Sequence, residues 1–164
     1  QVLNETVPKA LALFDKERRP QVVHQTGVKN VEKVRALYDS LGIEADVRGF
    51  IDDMASAYRD SDLVLCRSGA MTVSELCAAG AASILVPFVV KTTQHQLGNA
   101  RYMQDNGAAI LLEQPQLTPE HLFGILMSTN RDKILAMAQK ARALARPHAA
   151  QAVADIIERA AGQV

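Results

Sequence analysis

Leu63-Val64-Leu65-Cys66-Arg67-Ser68-Gly69-Ala70-Met71-Thr72-Val73-Ser74-Glu75 is the stretch that decides the fold. Four apolar residues in a row, Leu63 to Cys66, read as a parallel strand covered on both faces. The strand gives way to Ser68, Gly69 and Ala70, small residues that let a ligand approach the backbone. A helix then starts at about Met71 or Thr72. In sheets built from such units, ligands bind at the carboxyl ends of the strands. The first turn of this helix offers unpaired N–H groups and the positive end of the helix dipole, which suits a diphosphate. Thr72-x-x-Glu75 also spells a capping box, in which Glu75 bonds only the helix start, and spacing alone favours that reading. Arg67 argues for a ligand, because a charge directly after a buried strand must reach solvent, a carboxylate or a phosphate.

Outward from this unit the same alternation continues. Leu3, Val7, Leu11 and Phe14 recur at helical spacing. Gln21–Gln25 is a short strand, Val31 to Leu41 a helix stopped by Gly42, and Ile43–Phe50 an alternating strand. A short helix follows around Asp53–Tyr58. Beyond Gly80, which ends the central helix, come a buried strand Ser83–Val86, a helix Gln94–Asp105 and a strand Ala108–Leu112. Helices Thr118–Thr129, Arg131–Ala145 and Ala149–Ala161 close the chain, the first opening on a hydroxyl cap and a proline. Five strands alternating with helices predict an α/β fold, a Rossmann-like doubly wound parallel sheet in one domain over 1–164. The helical start is odd, because the first strand of such a sheet is usually central and carries the phosphate-binding turn. Either the sheet is unusual, or a strand and its glycine-rich turn belong before Gln1.

Composition narrows the class. Lys plus Arg equal Asp plus Glu at 18 each, so nothing points to nucleic acid, whose binding shows as a basic face. Gln1–Phe14 lacks the pattern of a signal peptide, and Ala78–Val90 is too short to span a bilayer. Cys66 and Cys77 read as reduced thiols in apolar segments of a cytosolic protein. His24, His95, His121 and His148 are scattered, so no structural metal is expected. Asp60-Ser61-Asp62 has a metal motif's spacing but reads as a solvated turn.

Two further strand ends are candidates. Arg48-Gly49-Phe50-Ile51-Asp52-Asp53-Met54 could seat a flat base on Phe50 or Ile51, with main-chain groups reading its edge. The simpler reading, an apolar contact at a helix entrance with Asp52 or Asp53 as cap, is favoured. Pro87-Phe88 leads into Lys91-Thr92-Thr93-Gln94-His95-Gln96 and Asn99-Ala100, where amides and hydroxyls can match the donors and acceptors of a sugar ring; a solvated loop looks the same. His95 has no nucleophile or carboxylate tied to it and is not assigned as a base.

Taken together, "GFIDDM", "LVLCRSGAMTVSEL", "AAGAASILVPF", "HQ" and "NA", in that order, resemble the MurG family of bacterial N-acetylglucosaminyltransferases, and the similarity runs from Leu3-Asn4-Glu5-Thr6 through "VVHQTG" to the closing helices. The resemblance implies the donor-binding C-terminal half of an inverting GT-B enzyme, which binds UDP-GlcNAc and, with an N-terminal acceptor domain absent here, converts lipid I to lipid II in peptidoglycan synthesis. It also implies a bacterial cytoplasmic enzyme, peripheral on the inner membrane through the absent domain, without cofactor. Carried over, Ile51 contacts uracil through its backbone and Ala70, Met71, Thr72, Val73, Ser74 and Glu75 form the nucleotide loop and helix start. Glu75 holds the ribose hydroxyls, Arg67 lies near the nucleotide, and Gln96 (or Gln94, since the loop is one residue longer than in some relatives) binds the sugar. Met71 stands where leucine is common. The family's GGS-x-GA turn would end just before Gln1, so the chain alone is expected to be inactive, with the catalytic base elsewhere. Two other readings stay open: a non-catalytic nucleotide-sugar-binding subunit of a split transferase, and a UDP-GlcNAc epimerase. The latter needs carboxylates around the sugar, which Lys91 to Asn99 lacks.

Overall fold

The computed structural model describes residues 1–88, 90 and 93–161. Strands and helices alternate as α1 (Val2–Leu11), β1 (Val23–Gln25), α2 (Val31–Ser40), β2 (Asp46–Arg48), α3 (Met54–Asp60), β3 (Val64–Cys66), α4 (Ala70–Ala79), β4 (Ser83–Leu85), α5 (His95–Asp105), β5 (Ala109–Leu111), α6 (Pro119–Ser128), α7 (Arg131–Ala143) and α8 (Ala149–Ala161). Every strand pairing is parallel, as the crossover helices require.

Among the described residues the strands form two sheets, β1-β2 and β3-β4-β5, rather than one. Leu63–Cys66 is covered on both faces as expected, Val64 and Cys66 packing on one core cluster and Leu63 and Leu65 on another, but its residues are only partly buried, because among the described residues β3 has one neighbour. β4, with a neighbour on each side, is fully buried.

The core has three apolar clusters. Leu76, Cys77, Leu85, Ala100 and Met103 fill the space between α4, α5 and the three-stranded sheet. On its other face lie Ala10, Ile84, Val86, Leu112 and Leu122. Leu11, Phe14, Val34, Tyr38 and Val47 form the third, against the two-stranded sheet. Gly80 ends α4 at φ +66°, where its N–H donates to the Cys77 carbonyl and that of Ala81 to Leu76. A side chain there would suffer the left-handed strain and also press on Arg142 Cβ at 3.2 Å.

Candidate functional site

The central helix starts one residue earlier than expected, at Ala70, with Gly69 as its N-cap and no side-chain cap. The first intrahelical bond runs from Val73 N–H to Gly69 O at 2.9 Å. Among the described residues the N–H groups of Ala70, Met71 and Thr72 have no acceptor. The tip is open: Ala70, Met71 and Ser74 are exposed, Thr72 and Val73 partly buried. Three free amides and the helix dipole therefore converge on unobstructed space. Gly69 has an ordinary extended backbone, and an added Cβ would come no closer than 3.7 Å to the protein. Nothing in the described fold requires glycine there.

The capping-box reading of Thr72 and Glu75 does not hold. With the N-cap moved to Gly69, Thr72 is already helical and Glu75 is too far along to reach back. Instead Glu75, exposed, accepts a hydrogen bond at Oε2 from the Tyr58 hydroxyl at 3.0 Å. Tyr58 lies on α3 with only 8% of its surface exposed, and burial raises its phenol pKa, so it stays a donor at neutral pH. The Cys66 thiol is pushed up to about 12 by burial and by the Glu75 charge, and remains protonated. Both cysteines are free.

Arg67 finds its partners inside the protein. Its guanidinium donates to the carbonyls of Val86 (3.1 Å) and Pro87 (3.4 Å) and to Gln114 Oε1 (2.7 Å), and lies 5.4 Å from the centroid of the Phe88 ring. It ties the ends of β3 and β4 to the segment after β5. Ser68, fully buried, donates to Gln96 O at 2.8 Å and accepts at its carbonyl from Asn99 Nδ2 at 2.9 Å. Gln96 Oε1 accepts from Phe88 N–H at 2.9 Å, and among the described residues its amide N–H₂ has no acceptor. The start of α5 is thus fixed beside the α4 turn. His95 opens α5 and is exposed; Lys91 and Thr92 of the predicted sugar loop lie outside the described residues.

At the end of β2 the simpler reading holds for the acids. Asp53 caps α3, its Oδ1 accepting from Ser56 N–H at 2.9 Å. Ile51 is buried and Phe50 is 64% exposed. The Ile51 N–H, one of the main-chain groups expected to read a base, donates to Gln25 Oε1 at 3.0 Å. Asp60 and Asp62 are solvated, paired with Arg59 and Arg131.

Sequence reasoning missed Gln25 and Tyr58. Gln25 ends β1, a position from which ligands are reached in parallel sheets, and that signal was available. Tyr58 carried none beyond its place on the apolar side of a short helix. A concavity of about 110 Å³ between α1 and α2, lined by Asn4, Glu5, Asn30, Lys33 and Val34, takes in none of these groups. The candidate site is an open shelf.

The chain matches the glycosyltransferase family 28 C-terminal domain over residues 1–160. It is 58% identical over 157 residues to the UDP-N-acetylglucosamine--N-acetylmuramyl-(pentapeptide) pyrophosphoryl-undecaprenol N-acetylglucosamine transferase of Aromatoleum aromaticum, covering 96% of this chain and 44% of that protein. The protein of the same name from Azoarcus sp. strain BH72 is 54% identical, with the same coverage. Among solved structures, the Acinetobacter baumannii MurG crystal structure superposes with a TM-score of 0.89 at 40% identity, covering 96% of this chain and 48% of that one. The chain therefore spans less than half the length of these relatives.

Proposed function

The chain belongs to the glycosyltransferase family 28 C-terminal domain family, and from that premise we propose that it is the UDP-GlcNAc-binding domain of a MurG-type transferase. The whole enzyme passes GlcNAc from UDP-GlcNAc to lipid I, forming lipid II for peptidoglycan. It works on the cytoplasmic face of the inner membrane; no described helix is long and apolar enough to cross a membrane, and both the lipid acceptor and the membrane are met outside this chain.

The observation that carries this reading is the uncapped tip of α4. Three free amides and a glycine that the protein itself does not require leave room for a diphosphate. In an inverting displacement the 4-hydroxyl of the muramoyl sugar attacks the anomeric carbon of GlcNAc as UDP departs. Negative charge grows on the leaving diphosphate, so donors fixed at the α4 tip bind the transition state more tightly than the ground state. Glu75 holds the ribose hydroxyls, the Ile51 main chain reads uracil, and the free amide of Gln96 meets the sugar. Uracil reaches the Ile51 N–H by displacing the Gln25 side chain.

The experiment is Gly69→Ala in the full-length enzyme, assayed for transfer to lipid I. The added methyl fits the protein, and stability should move by no more than about 1 kcal/mol, since a weaker cap and a stiffer unfolded chain act in opposite directions. The Michaelis constant for UDP-GlcNAc should rise roughly tenfold or more, because the methyl stands where the diphosphate approaches the amides. An unchanged constant with an unchanged melting temperature would remove the α4 tip from the site.

A further inference from the structure

Ribose recognition by a single exposed carboxylate has a physical difficulty. A glutamate on a helix surface samples several rotamers, and each hydrogen bond to a diol must then overcome the entropy of fixing it. Glu75 is exposed on α4, yet one of its oxygens is already held by a hydroxyl rising from the core. That hydroxyl belongs to Tyr58, whose ring packs with Leu76 and Cys77 in the cluster beneath α4. Its backbone is set as firmly. Asp53 caps α3 through Ser56, fixing the helix immediately after the Phe50–Ile51 loop.

We propose that Tyr58 is a positioning residue for nucleotide recognition: its hydroxyl holds the Glu75 carboxylate in the rotamer that receives the ribose diol, and joins the base-reading loop to the diphosphate helix. The assignment rests on the reading of Glu75 as the ribose-binding group. The hydroxyl takes one lone pair of Oε2, and Oε1 is left to accept from the sugar. Because α3 begins two residues after Asp52 and carries Tyr58 on its second turn, a shift of the Ile51 loop on binding a base moves the group that orients Glu75. Base and ribose are thereby recognised as one rigid pattern rather than as two independent contacts.

The test is a cycle on protein and ligand together, by calorimetry on the full-length enzyme. Tyr58→Phe keeps the ring and its packing and removes only the donor. UDP should bind this variant roughly 10- to 150-fold more weakly, the range of one hydrogen bond to a charged group. UDP lacking both ribose hydroxyls should bind variant and native enzyme equally, because it gives the carboxylate nothing to hold. An equal loss for both nucleotides would reduce Tyr58 to general support of α4 and overturn the proposal. So would full UDP affinity in Tyr58→Phe while Glu75→Ala loses it. If Glu75→Ala binds UDP as tightly as the native enzyme, the ribose reading itself is wrong, and this inference falls with it.

Discussion

His24 shows how much a single side chain can specify. Asn4 Nδ2 donates to Thr26 O at 3.1 Å, so its Oδ1 faces His24 Nε2, 3.1 Å away. An acceptor there requires the proton on Nε2, and Nδ1 must then accept from the Tyr38 hydroxyl at 2.9 Å. The chain Tyr38–His24–Asn4 is satisfied only with a neutral imidazole, and it ties α2, β1 and α1 together. Burial lowers the His24 pKa from its ordinary 6.5. The unfolded chain therefore takes up a proton first as the pH falls. Stability from this group is full above about pH 6.5 and is lost as the pH drops through the folded-state value, with a slope of at most about 1.4 kcal/mol per pH unit. Urea unfolding of this chain at pH 7.5 and pH 5.5 should show the drop, and His24→Gln should flatten it. An equal drop in both proteins would place the linkage on another group.

At the scale of elements, α8 differs from the other α-helices among the described residues. It has no buried residue, and Val153, Ile156 and Ile157 are each more than half exposed on it. A helix of 13 residues without packing is marginal in water. Its amides should therefore exchange with deuterium close to the rate of an isolated helix, while those of α4, whose Leu76 and Cys77 are buried, are protected toward the global limit. Mass-resolved exchange on this chain would decide it; protection of α8 equal to that of α4 would mean that its apolar face is covered. The same contrast explains what the sequence disclosed. Helix spans after the first were legible to within about two residues, because apolar spacing, the Thr118 cap and the Gly80 stop each act locally, whereas the first was read through Phe14 and ends at Leu11. Strand extents were not. Ile43–Phe50 alternates over its full length, but only Asp46–Arg48 pairs, since a strand can be no longer than the partner it finds in β1. The start of α4 was misjudged for a related reason. Thr72 and Glu75 have the spacing of a capping box, and only the contact between α3 and α4 reveals that Glu75 is bonded to Tyr58 instead. The strand-end turns could be found in the sequence; the groups that orient them come from other elements and could not.

At the scale of the whole molecule, the two sheets share no strand pairing among the described residues, so another part of the structure must make them one body. The α1–α6 pair fits that role. Ala10 and Leu122 pack into the cluster over the three-stranded sheet, while Leu11 and Phe123, each the next residue along, pack into the cluster over the two-stranded sheet. Val7 and Leu126 belong to both. Consecutive positions on each helix thus grip opposite halves, and the Phe14 and Phe123 rings meet edge-on with centroids 4.7 Å apart. A cavity in this bridge should cost cooperativity as well as stability. Leu122→Ala and Leu76→Ala each remove a side chain buried at 1% exposure or less and should each cost about 2–5 kcal/mol. They should differ in how the chain then unfolds. Leu76 lies between α4 and α5, within one half, and its loss should leave a single transition. Leu122 lies in the bridge, so its loss should let β1–β2 open at a lower urea concentration than β3–β5. Pulse-labelled hydrogen exchange at graded urea reads the two halves separately. If the halves still open together in Leu122→Ala, α1 and α6 are not what couples the sheets.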